Sequence, residues 1–396
     1  MAARSPRSLI IVSRDYGELG LACSLLRGQR LAAHATLMLP GPLFFENERS
    51  LPATALPYSN VQDILNVARA QRPELVFLLS GYLLSNDKLL SSGDVEEIVR
   101  HFQESGATLL TSDPFLGLAA TINFDQVDME MLAARHRRQY RLLLRILLWI
   151  RSRRGVQFFD VPAMRAAIHL YATAVPTGEE LSSVRRLSFF NPTLVRASGE
   201  RGDGAGSERG SPATWLFVLS TADLHGQSVV TGLLPFLDHL VARLEDALVA
   251  GRRPILIGSP WLFERLAGRV SESVELVSSC PFAEFEERLL AAEYAFYWNT
   301  FSHSLLARVA NGLPVFLFDR GHLAHTIKPF HDAALACHFA GIELTELDQT
   351  LRLDVDDLAQ RAAAKEADLR AILAHWSASP TPDELGELLH AEREKA

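Results

Sequence analysis

With 396 residues, 48% of them hydrophobic, the chain is long enough for two buried cores. A formal charge of -8 excludes a general nucleic-acid binder, which needs a net basic face. Three widely spaced cysteines, Cys23, Cys280 and Cys337, with no C-x-x-C, exclude a disulfide framework and a zinc site and fit a reducing compartment.

The apolar run at 9–12 predicts a buried parallel first strand. The following S-R-D-Y-G-E-L-G predicts a glycine-containing turn that opens a helix over 21–27, stopped at Gly28. A second strand is expected at 34–39, broken by Pro40-Gly41-Pro42. A helix capped by Asp63 runs to 71, and strands at 75–79 and 107–111 flank a helix over 94–104. This alternation predicts a parallel, right-handed βαβ sheet, extended by strands at 156–159, 168–172 and 187–191. The apolar N-terminal run is interrupted at Arg14, too early for a signal-peptide core. No stretch approaches the roughly 20 apolar residues that span a bilayer, so the expected location is cytoplasmic.

Residues 125–154 predict a long helix instead, and 135–154 carry eight arginines among leucines, isoleucines and Trp149. Such a segment suits an anionic membrane surface. The plainer reading is a helix packed on the first domain with a solvated arginine face, and under it most of the apolar residues are covered and membrane-surface association is not expected. Residues 197–212, rich in Gly and Ser without an apolar anchor, predict a linker. Then the alternation restarts, with strands at 215–219, 254–257 and 274–277 and helices over 229–249 and 261–267. The expected division is an N-terminal domain over 1–195, a linker over 196–212 and a C-terminal domain over 213–396 that ends in charged helices at 358–376 and 382–394.

Residues 281–322 carry the most chemistry. A helix at 284–292 leads to a strand at 294–298, a polar loop, Asn299, Thr300, Phe301, Ser302, His303 and Ser304, and a helix from 305 that stops at Asn311-Gly312. A strand at 314–318 then leads to Asp319, Arg320 and His322. Ligands of open α/β sheets sit beyond the carboxyl ends of the strands, where helix N-termini offer N–H groups to phosphate. The N-T-F-S-H-S run, the Gly-Leu-Pro turn and the Asp319-Arg320 pair resemble the donor-binding half of GT-B-fold glycosyltransferases. The resemblance implies two doubly wound, Rossmann-like α/β domains facing a cleft, with the acceptor held by the first and a nucleotide sugar by the second. It places Ser304 at a phosphate-binding hydroxyl, His303 at a polar position, and Asn299 where plant nucleoside-sugar enzymes carry a phosphate-binding His. It also implies a C-terminal helix that returns to the first domain. The family's ribose-binding Glu falls at Ala307, which cannot hydrogen-bond a ribose.

Other candidates follow from position. Asp15 and Glu18, in the loop after the first strand, could serve as the base that takes an acceptor's proton. The D-Y-G-E-L-G run there is similar over a short stretch to protein-arginine rhamnosyltransferases. The plainer reading makes Asp15 a helix cap and Glu18 a first-turn acid. Thr221, Asp223, His225 and Gly226 follow the first strand of the second half, where a diphosphate loop would lie, with Asp223 as cap in the plainer reading. Gly258, Ser259 and Phe282 are expected around a nucleobase, and Asp319, Arg320 and His322 around sugar hydroxyls. The His322, His325 and His331 cluster with Asp319 and Asp332 matches no metal-ligand spacing. No G-x-S-x-G, Walker loop or G-x-G-x-x-G is present. The expected activity is inverting, metal-independent sugar transfer without a cofactor, from a nucleotide sugar to an unidentified acceptor. The alternatives are a binding or auxiliary protein of the same fold, supported by Ala307, and a nucleotide-sugar epimerase.

Overall fold

In the computed structural model the described residues are 6–14, 16–27, 29–51, 54–85, 89–118, 122–133, 142–143, 146, 149–150, 161–175, 185–188, 212–381, 384, 387 and 389. By contacts the chain divides into two compact units. One comprises Met1–Thr121, Phe159–Val195 and Ala374–Ala396, and the other Ile122–Phe158 and Arg196–Leu373.

Among the described residues the first unit holds seven parallel strands: β1 (Ser8–Ile11), β2 (Ala35–Pro40), β3 (Thr54–Tyr58), β4 (Leu75–Leu78), β5 (Thr108–Ser112), β6 (Ile168–Tyr171) and β7 (Arg186–Ser188). Their order is β3-β2-β1-β4-β5-β6-β7. β1, β2 and β4 are buried at every position, which is why they read as unbroken apolar runs. The helix after β1 spans Tyr16–Leu26, so the expected turn is already helical at Tyr16. The cap of the helix Val61–Gln71 is Asn60, whose side chain accepts from the N–H groups of Gln62 and Asp63, and not Asp63 itself. Two elements escaped the sequence reading. The helix Gly41–Asn47 starts directly at the Pro-Gly-Pro break, with a proline in its first turn where no N–H is needed. β3 contains Pro57 and is tolerated as an edge strand paired only with β2.

The second unit holds β8 (Thr214–Val218), β9 (Arg253–Ile257), β10 (Glu275–Val277), β11 (Tyr294–Tyr297), β12 (Val315–Leu317) and β13 (Thr345–Glu346), in the order β10-β9-β8-β11-β12-β13. All are parallel. Its core is aromatic: Phe217, Phe296 and Phe316 form a stack with ring centroids 4.7 and 5.6 Å apart, and Phe296 also lies 5.6 Å from Phe318. Each such ring contributes about 1.5–3 kcal/mol by burial. Arg308, in the helix His303–Ala310, is fully buried and donates to the carbonyls of Leu289, Ala292, Glu293 and Pro314. Burial pulls its pKa down to about 10, so it stays charged and ties the end of the preceding helix to the start of β12.

The stretch Ile122–Phe158, placed by the sequence reading in the N-terminal domain, groups with the second unit. Its anchor is local: Val127 bridges Ile327 antiparallel, Asp128 N–H donates to Thr326 O at 2.7 Å, and Lys328 N–H donates to Gln126 O at 3.0 Å. The segment Ala374–Ala396 groups with the first unit, where the Ser379 hydroxyl donates to Thr173 O. Within the arginine-rich stretch 135–154, residues 142, 143, 146, 149 and 150 are described; they are helical and their side chains are exposed. The expected strand at 156–159 and the linker at 197–211 lie outside the described residues. No helix among the described residues is long and apolar enough to cross a membrane.

Candidate functional site

In the second sheet the strand order turns at β8, whose neighbours are β9 and β11. A crevice opens at such a switch point beyond the carboxyl ends of the strands, and the predicted residues after β8, β11 and β12 meet there. The segment after β8 is not the expected loop but a helix, Thr221–Gln227, capped by Ser220, whose hydroxyl accepts from Asp223 N–H at 3.1 Å and donates to the Asp223 carboxylate at 2.6 Å. Serine followed three residues on by an acid is a helix-start pattern. It puts Asp223 in the first turn, buried to 2% exposure and aimed across the switch point.

Asp223 is the hub. Its Oδ2 accepts from Asn299 Nδ2 at 2.8 Å, and its Oδ1 accepts from the backbone N–H of His322 at 3.1 Å and contacts His322 Nδ1 at 3.0 Å. Burial pushes the carboxyl up, but the hydrogen bonds and charge of His322 and the Ser220 hydroxyl outweigh it and hold the pKa below the ordinary aspartate value. An ionised Asp223 keeps the proton of His322 on Nδ1 and leaves Nε2 for a ligand. Two glycines permit this approach. Gly321 has φ +95°, and a Cβ there would lie 2.6 Å from that of Asn299, so only glycine fits. A Cβ on Gly226 would lie 3.1 Å from that of His322.

Around this hub, Thr300 donates twice to Arg320 O, from its N–H and its hydroxyl, at 3.2 Å each. Ser302 caps the next helix, accepting from Leu305 N–H at 3.2 Å and pairing with the Ser304 hydroxyl at 3.0 Å. Thus His303 and Ser304 belong to the first helical turn, not to a loop. Asp319 accepts from Gly321 N–H and pairs with His325 Nε2 at 2.8 Å, and this bond raises the pKa of His325 in spite of burial. Arg320 is exposed and pairs with Glu346 at 2.8 Å.

Other predicted residues stand apart from the hub. Ser259 caps the helix Pro260–Leu266 just after Gly258. Half-buried His225 lies 5.6 Å from the Trp261 ring, over which Arg265 sits at 3.7 Å. Phe282 is buried to 6% exposure at the start of the helix Phe282–Ala291, its ring 6.0 Å from that of His303. Thr221 is exposed. Ala307 is buried within its helix. Among the described residues no group of three or more His, Cys, Asp and Glu is arranged to hold a metal ion.

In the first unit Asp15 lies outside the described residues. Glu18 is the third residue of the helix Tyr16–Leu26 and accepts from the Ser80 hydroxyl and from Ser112 Oγ at 3.0 Å. Ser80 is fully buried with φ +49°, a strained position for a residue other than glycine. Neither Ser80 nor Gly321 was singled out from sequence, and their only signal is their place just after a strand.

With the sheets and site in view, the class is defined: the chain has a GT-B glycosyltransferase-like fold, two parallel α/β sheets with flanking helices. No family model and no curated protein matches it. Among solved structures it is similar to the spinosyn forosaminyltransferase SpnP, at 14% identity and TM-score 0.54, over 97% of this chain and 99% of that one. It is also similar to a Listeria monocytogenes protein described as a UDP-N-acetylglucosamine 2-epimerase, at 12% identity and TM-score 0.50, over 96% and 92%.

Proposed function

We propose that the protein is a glycosyltransferase whose C-terminal unit binds a nucleotide-activated sugar at the Asp223, Asn299 and His322 hub. The observation that carries this reading is a buried, ionised aspartate orienting a histidine at the switch point of the second sheet. The leaving diphosphate lies against the first turn of the helix His303–Ala310 and accepts a hydrogen bond from Nε2–H of His322 in its imidazolium form, in which both ring nitrogens carry protons and Nδ1–H stays on Asp223. Electrostatic stabilisation of this kind is usually the largest catalytic contribution. In the transfer an acceptor hydroxyl or amine attacks the anomeric carbon, the bond to the phosphate oxygen breaks, and the diphosphate leaves with the electron pair. The acceptor's proton goes to a base supplied by the N-terminal unit, Asp15 or Glu18. The resemblance of SpnP, named as a forosaminyltransferase, supports transfer of a sugar.

A second reading is favoured by the epimerase-like neighbour, whose fold similarity is of the same order. The two part experimentally. Thermal-shift screening against nucleoside diphosphates and nucleotide sugars should first find a ligand that raises the melting temperature. His322→Ala should then weaken that ligand by about 1–3 kcal/mol, the range for a hydrogen bond to a charged group. Incubation of the ligand in heavy water, without acceptor, decides the class. Exchange of a sugar-ring proton marks the epimerase, while turnover that waits for an added acceptor marks the transferase. Absence of any bound nucleotide would leave the auxiliary-protein reading standing.

A further inference from the structure

We propose that residues 122–133 form a strap that positions the donor histidine, with Asp128 and Met131 as its positioning residues. The inference rests on the reading of His322 as the diphosphate contact and concerns what holds its ring over Asp223. His322 stands at the first position of a helix of five residues, His322–Thr326. A single turn of helix closes too few hydrogen bonds to hold itself in water, so its place is set by its neighbours. The helix Thr221–Gln227 supplies one side through Asp223. The strap supplies another.

The strap reaches the histidine by two routes. The first is backbone: Val127 bridges Ile327, and Asp128 N–H donates to Thr326 O at 2.7 Å, while the Thr326 hydroxyl in turn donates to His322 O at 2.6 Å. Val127, Thr326 and Ile327 are all buried, where a lost partner is costly. The second route is a side chain. Asp128 Oδ1 accepts from the N–H groups of Glu130 and Met131 at 2.8 and 3.0 Å and so caps the helix Met129–Ala133. That cap aims buried Met131 at Gly226: its Cε comes within 3.5 Å of where a Cβ on that glycine would lie, the spot that His322 Cβ approaches to 3.1 Å. Met131 and His322 thus close on one glycine. None of these bonds belongs to the sheet ladder, so loosening the strap frees the helix that carries His322 while the strands stay paired.

Exchange of the His322 Nδ1–H with water tests the inference without any nucleotide. It is read by NMR on full-length protein labelled with 15N-histidine, with His322→Gln assigning the signal. Asp128→Ala and Met131→Ala should each speed that exchange by roughly 2- to 30-fold, the size of effect produced by residues that act on a site at one remove. Asp128→Asn and Met131→Leu should restore the wild-type rate, because an amide oxygen still caps and leucine still fills the space. Val274→Ala, a core truncation beside β10 at the far edge of the sheet, controls for general loosening and should leave the exchange unchanged. In titrations with thymidine diphosphate, Asp128→Ala should weaken binding, and by less than His322→Ala does. The inference is overturned by a wild-type Nδ1–H that exchanges without protection, by strap variants that match wild type, or by Val274→Ala speeding exchange as much as they do. Faster exchange in the strap variants of a protein that binds no nucleoside diphosphate supports the strap and overturns the donor-site reading alone.

Discussion

In both units the first strand runs into a helix whose third residue is an acid, Glu18 after β1 and Asp223 after β8. The surrounding plan is shared, since β1 lies between β2 and β4 as β8 lies between β9 and β11. The partners differ. Glu18 gathers two serine hydroxyls from the ends of β4 and β5, whereas Asp223 gathers an amide from the end of β11 and an imidazole and a backbone N–H from the end of β12. One position in one topology therefore does two jobs. In the first sheet it ties strand ends together through groups with no charge of their own. In the second it fixes a titratable ring, which is the arrangement chemistry needs.

The comparison breaks most visibly at Asp223. Asp223→Ala removes a buried acceptor of several hydrogen bonds and leaves Asn299 and His322 without their partner, a loss of about 3 kcal/mol or more in unfolding free energy. Asp223→Asn should recover part of that stability and none of the orientation of Nε2. Denaturant unfolding followed by tryptophan fluorescence reads the first effect, and nucleotide binding the second. An Asp223→Ala protein as stable as wild type would mean the hub is not closed as described.

Gly321→Ala approaches the same hub without touching a polar group. Its φ of +95° and the 2.6 Å approach to Asn299 predict a cost of about 2 kcal/mol, with the displacement falling on the loop that carries His322. Glu18→Gln should cost less, about 1 kcal/mol, because an amide oxygen still accepts from one of the two serines. If Glu18→Gln proves as damaging as Asp223→Ala, the two acids are equivalent and the contrast fails. If it leaves stability intact but stops turnover, Glu18 is the base and not a tie.

Much of this plan was legible because parallel strands buried on both faces read as apolar runs, as 9–12, 75–79, 215–219 and 294–298 did. Elements lacking that property were not: β13 is two residues long, and β3 carries an edge proline. The helix Thr221–Gln227 was misread as a phosphate loop because Ser-Thr-Ala-Asp is polar, although Ser220 and Asp223 spell a cap at the correct spacing. Asp223 and His322 were each singled out as candidates, but their pairing was not. They are 99 residues apart, and only the sheet order brings the ends of β8 and β12 within reach. The expected cover over the apolar residues of 135–154 fails at Leu142, Leu143, Ile146, Trp149 and Ile150, which are exposed, for a related reason. Sequence shows that a helix is apolar, and only the fold shows whether anything covers it.

Two histidines give the finest test of the contrast, because their protonation pulls stability in opposite directions. His325, beside Asp319, has its pKa raised above 6.5 by that hydrogen bond against the effect of burial, with Arg320 opposing and Asp223 assisting. Its protonated form is favoured by folding, so its contribution is complete below the unfolded value of 6.5 and fades as pH rises through the folded value. His169 in β6 is lowered by burial despite Asp113 at 4.0 Å, with Tyr82 Oη 3.2 Å from Nε2 and Arg186 opposing the charge. The unfolded chain takes up this proton first, so His169 costs nothing above 6.5 and destabilises the fold as pH falls below it. Acidification from about pH 8 to about pH 5 should therefore strengthen the second unit through His325 and weaken the first through His169. In melting curves over that range, the stability advantage of wild type over His325→Gln should be largest at the acid end and shrink toward alkaline pH. The difference between wild type and His169→Gln should change in the opposite sense, His169→Gln gaining on wild type as pH falls. Two parallel profiles would show that both histidines share one environment, and the distinction between a sheet end that ties strands and one that holds a charged ring would be lost.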